Sequence, residues 1–190
     1  MKLLIILGAL ASGAAGSPPA ADQFRDALLA ANSATAVLQT HCPPETGAIR
    51  AEQVAGTPPA PPTDLRAALA MGPDEPVRYR RVRLMCGPIV FSEADNWYLP
   101  GRLTPQMNMT LETSDTPFGR VVAPLKPVRK TLQALPAADP AFLSVTAVLI
   151  TAEGQPISGV IEVYQKAVLG PGARGPEAEL PTPPAPSIRP

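Results

Sequence analysis

The chain has 190 residues, slightly more than one average domain, and its 16 basic and 16 acidic residues cancel. A balanced charge supplies no field for gathering nucleic acid or an anionic membrane surface, which argues against a polyanionic partner. One histidine, two cysteines and no CxxC pair fall short of a zinc ligand set, so no metal site is expected.

Met1-Lys2, an apolar run from Leu3 to Ala11 and small residues through Ser17 follow the three-part layout of a secretory signal. Cleavage is expected near Gly16, and residues 1–16 read as a signal peptide on an exported, periplasmic or secreted protein. The alternative is an anchor helix, but the uncharged stretch is short for a bilayer. No cysteine stands at a lipoprotein-like position after it, so the mature chain is expected to be free of lasting membrane insertion.

Ala20 to Asn32 places Phe24, Ala27, Leu28 and Ala31 on one face of an amphipathic helix. Asn32-Ser33 then offers capping side chains to a second helix from Ala34 to His41, which Pro43-Pro44 stops. A weak strand over Ala48 to Val54 precedes a proline-rich connector, Thr57 to Pro62. Thr63 or Asp64 can cap a helix from Leu65 to Met71, with Gly72 and Pro73 ending it.

Val77 to Cys86 alternates Val82, Leu84 and Cys86 with Tyr79, Arg81, Arg83 and Met85, and Gly87-Pro88 turns the chain into a partner strand, Ile89 to Leu99. Thr104-Pro105 starts a helix over Gln106 to Glu112, and the segment from Thr116 to Gly119 breaks it. Arg120 to Leu125 is a candidate strand. Leu143 to Thr151 and Ile157 to Val168 form a hairpin around Glu153-Gly154. Helices alternating irregularly with antiparallel strands indicate an α+β fold. In residues 171–190 seven prolines and few large apolar side chains predict a disordered tail, which sets the foldable domain at 20–169.

Several motifs fail their context tests. Gly170, Gly172 and Gly175 match GxGxxG, yet they lead into the proline tail rather than a helix. Asn108-Met109-Thr110 is a glycosylation triplet on a predicted helix, read as coincidence. No GxSxG elbow occurs, and a lone His41 at a helix end makes a poor triad base. Cys42 and Cys86 can be a disulfide in an oxidising compartment or two buried thiols; their spacing does not decide.

Two charged residues on predicted strands remain. Arg81 carries a planar fork suited to a carboxylate. Glu162, flanked by Ile161 and Val163, shares a face with Val160 and Tyr164, where burial would favour a protonated acid able to donate. Periodicity alone favours reading both as exposed or mutually paired strand residues.

Arg81-Val-Arg-Leu-Met-Cys86, Ala94-Asp-Asn-Trp-Tyr-Leu-Pro100, Thr116-Pro-Phe-Gly-Arg120 and Val160-Ile-Glu-Val163 together resemble the chorismate lyase family in order and spacing. The resemblance covers most of Ala20 to Leu169. It implies a six-stranded antiparallel sheet with helices on one face, enclosing a small aromatic carboxylate beneath helical flaps. By that resemblance Arg81 grips the ring carboxylate and Glu162 meets the oxygen at the far end. Phe118, Gly119 and Ala34 match positions that close the pocket and offer backbone amides, and Arg129 matches a further arginine. Ala34 is smaller than the methionine, and Phe118 larger than the leucine, of the best-known enzyme.

The activity implied is conversion of chorismate to 4-hydroxybenzoate and pyruvate, with catalytic residues Arg81 and Glu162 and no cofactor. The alternative is an exported, non-catalytic module binding a small aromatic carboxylate. Either form is expected to act as a monomer with chorismate or a hydroxybenzoate as its partner.

Overall fold

The computed structural model describes residues 19–170; the expectations for the signal and the proline tail lie outside them. Helix α1 (Ala20–Ala30) buries Phe24 and Leu28, two residues of its apolar stripe. Helix α2 (Ala34–His41) begins where the Ser33 hydroxyl accepts from the Ala36 amide at 3.2 Å, satisfying one of the orphan donors of its first turn. His41 is its last residue, and burial pulls the imidazole pKa below its ordinary value.

Strand β1 (Arg50–Gln53) follows, and then helix α3 (Thr63–Ala68). The latter starts before the predicted Leu65 and stops before the predicted Met71. Pro62, which needs no amide partner, precedes its first turn. Its end is set by Arg102, whose guanidinium donates to the Leu69 and Ala70 carbonyls at 2.9 and 3.1 Å. Strands β2 (Arg78–Cys86) and β3 (Ile89–Tyr98) form the expected hairpin, with Gly87 at φ 55 in the turn.

Helix α4 (Pro105–Thr113) is capped by Thr104, which accepts from the Met107 amide at 3.2 Å. The strand predicted over Arg120 to Leu125 is instead helix α5 (Phe118–Val121) and a 3-10 turn, Ala123–Leu125. Pro117 accepts the Val121 amide at 3.2 Å and so opens a helical turn, while Pro124 would have removed a ladder donor from any strand.

Strand β4 (Val128–Pro136) was not legible by alternation, because it turns Arg129 inward while leaving Val128 and Leu135 exposed. Strands β5 (Ala141–Ile150) and β6 (Pro156–Gln165) complete the sheet; residues 166–169 are a 3-10 turn rather than a continuation of β6.

All six strands pair antiparallel in the order β1-β2-β3-β6-β5-β4. One row across the centre runs Val82, Ala94, Glu162, Val145, and all four side chains are buried in the helical face. The adjacent row runs Arg81, Asp95, Ile161, Thr146 and so faces the other way. Helices α1, α2, α4 and α5 pack their buried residues into the main core on the first face. On the second face, Leu65 and Leu69 from the α3 segment cover Trp97, Leu99 and Val148. The Trp97 indole is anchored there by donating to the Pro59 carbonyl at 2.9 Å.

Cys42 and Cys86 form a disulfide, with Cα atoms 5.7 Å apart. It joins the residue that ends α2 to the last residue of β2. The fold is α+β with the chorismate lyase-like arrangement of a six-stranded antiparallel sheet and helices.

Candidate functional site

Between the helical flaps and the sheet lies a cavity of about 540 Å³. The Asn32–Ala36 junction and Gln39 supply one side of its roof, and Phe118, Gly119 and Arg120 of α5 the other. The roof is drawn together where these helices meet: a Cβ placed on Gly119 would stand 3.5 Å from the Ser33 and Thr35 hydroxyls. Gln39 ties α2 to the loop before β1, its amide donating to the Gly47 carbonyl at 3.1 Å and accepting from the Ile49 amide at 2.9 Å. The floor is mostly apolar, formed by Val82, Leu84, Ala94, Leu149 and Val160.

Three polar side chains interrupt that floor. Asn96 accepts from the Ser158 hydroxyl at 2.6 Å. Arg129 and Glu162 form a buried ion pair, with side chains only 2% and 8% exposed. The Arg129 Nη2 and the Tyr164 hydroxyl, the latter at 2.9 Å, both donate to Glu162 Oε2. Oε1 is left without a protein partner among the described residues.

Burial works against the charge on Arg129, but the Glu162 carboxylate and Tyr164 outweigh it and its pKa is raised. Burial first, and the same carboxylate second, push the Tyr164 phenol well above 10, so it stays a hydrogen-bond donor at neutral pH. Arg129 Nη1 has no partner among the described residues. This end of the cavity therefore presents an acceptor on Glu162 beside a cation that the same glutamate neutralises.

Five of the sequence-assigned residues, Ala34, Phe118, Gly119, Arg129 and Glu162, line the cavity. Arg81 does not, which corrects its assignment. It lies on the opposite face of β2, one position out of phase with Val82, and pairs with Glu93 and Asp95 at 3.3 and 3.9 Å. The inward arginine of that strand is Arg80. It is buried and spent on the loop before α5, donating to the Ser114 and Thr116 carbonyls at 3.0 Å each.

Sequence reasoning missed Asn96 and Lys126 as lining residues. Asn96 sits in the quoted Ala94 to Pro100 motif and alternates in phase with Ala94, a signal that was available; Lys126 lies in a turn and carried none.

Among the described residues no cluster of three or more His, Cys, Asp or Glu could hold a metal, and no helix is long and apolar enough to cross a membrane.

The fold is shared with the effector domain of PhnF from Mycobacterium smegmatis, at a TM-score of 0.51 and 13% identity over 70% of this chain and 88% of that one. Full PhnF from the same organism gives a TM-score of 0.51 and 14% identity, and the match spans 72% of this chain and 65% of PhnF. No family model matches the chain. The uncharacterized protein y4mC of Sinorhizobium fredii is 38% identical over 170 residues, which cover 75% of this chain and 72% of that protein. At that identity and coverage, the chain belongs to the same family as y4mC.

Proposed function

We propose that the protein is an exported binding module that holds a small aromatic carboxylate in this cavity without turning it over. The observation that carries the reading is the state of the two residues a chorismate lyase would use. Arg81 faces away from the cavity, and Glu162 is already engaged by Arg129 and Tyr164. A general acid must release a proton to the departing oxygen. With Oε2 already accepting from a guanidinium and a phenol, Glu162 is placed to accept a ligand hydroxyl at its open Oε1.

The rest of the cavity favours binding. Phe118 and the aliphatic floor suit the faces of a ring, and Arg120 and Lys126 line the cavity with positive charge. A volume of about 540 Å³ falls within the usual range for small-ligand sites. The likeness in fold to a domain described as an effector domain is in keeping with a ligand-holding role. The Cys42–Cys86 disulfide supports export, since such bonds persist in oxidising compartments.

Two measurements on the purified protein test the proposal. Calorimetric titration with 4-hydroxybenzoate is expected to show saturable binding, and incubation with chorismate to release no pyruvate above background. Pyruvate release by folded protein would replace the module with a lyase. Failure to bind any hydroxybenzoate would remove the aromatic carboxylate.

A further inference from the structure

Lys126 closes the 3-10 turn after α5 with φ 47 and ψ 52, in the left-handed region. A residue with a Cβ is sterically strained there, and glycine is not. The Lys126 backbone amide donates to the Ala123 carbonyl at 2.9 Å, but its ammonium has no hydrogen bond or ion pair among the described residues. Lys126 is exposed and is one of the residues that line the cavity. Of the other two basic lining residues, Arg129 is paired with Glu162, and the Arg120 guanidinium reaches only a neutral acceptor, the Ile49 carbonyl, at 3.4 Å. Lys126 is therefore the basic lining residue whose charged group has no partner at all among the described residues.

We propose that Lys126 pairs with the carboxylate of the bound ligand and selects for an anion, the role that resemblance gave to Arg81. This rests on the cavity being a carboxylate site. Pro127 follows Lys126 directly and fixes the backbone beyond it, so the ammonium is presented from a stiff turn rather than a loose loop.

The test is calorimetry on the full chain, comparing wild type with Lys126→Gly and Lys126→Arg. The probes are 4-hydroxybenzoate and its neutral analogue 4-hydroxybenzamide. Lys126→Gly is expected to melt no lower than wild type, because glycine relieves the turn. It should bind the benzoate about tenfold more weakly and the benzamide unchanged, while Lys126→Arg keeps most of the benzoate affinity. Added salt should weaken the benzoate complex of wild type more than that of Lys126→Gly. Equal benzoate affinity in wild type and Lys126→Gly overturns the assignment, as does an equal loss for both probes. If wild type binds neither probe, the carboxylate reading of the cavity fails, and the lysine's role with it.

Discussion

Glu162 and Arg129 compensate each other inside the sheet, and removing one leaves the other charged with no partner and little access to water. Glu162→Ala is expected to cost about 3–5 kcal/mol of stability in urea unfolding. Arg81→Ala, which breaks a half-exposed pair on the outer face, should cost about 0–1 kcal/mol. Equal losses would mean that the two ion pairs share one environment. The difference was partly legible from alternation, since Val82 and Leu84 separate from Tyr79, Arg81 and Arg83 by the period of two alone. Resemblance to an enzyme motif favoured Arg81 over that phase, and a one-residue offset in a strand is enough to move a side chain to the other face. Tyr79 shows what the outer row does instead. Its hydroxyl donates to Asp95, and burial together with that carboxylate pushes its pKa up to about 12.

At the scale of elements, the helices were legible wherever a cap or a proline marked an end, as at Ser33 and Thr104. The hairpins were legible through Gly87 and Gly154, which take the positive φ of their turns. Edge strand β4 was hidden because its apolar residues face out and its arginine faces in, and α5 was mistaken for a strand because four residues are too few to show a helical period. Whether Cys42 and Cys86 join was a question of distance between two elements, which spacing along the chain does not contain. Their bond closes a sequence separation of 44 residues, which the loop-entropy relation converts to about 4 kcal/mol. Cys42→Ser with Cys86→Ser is expected to lower stability by an amount of that order in urea titration. An unchanged midpoint would show that the bond constrains neither state. Because the bond anchors the end of α2, and α2 roofs the cavity, the same double variant should also exchange the α2 amides faster than those of β5 and β6.

The molecule as a whole is a sheet with two unlike faces. One carries the main core, the flaps and the cavity; the other carries α3, the proline connector and a ladder of exposed ion pairs that includes Arg81 and Arg83. Ligand binding is expected on the first face alone. Calorimetric titration of 4-hydroxybenzoate into wild type, Arg81→Ala and Ala34→Trp tests this most directly. Ala34 is a buried roof residue, so an indole there fills space that a ring would occupy. Arg81→Ala is expected to keep wild-type affinity, and a folded Ala34→Trp to show no measurable binding. Binding lost in Arg81→Ala and kept in Ala34→Trp would contradict binding on the first face.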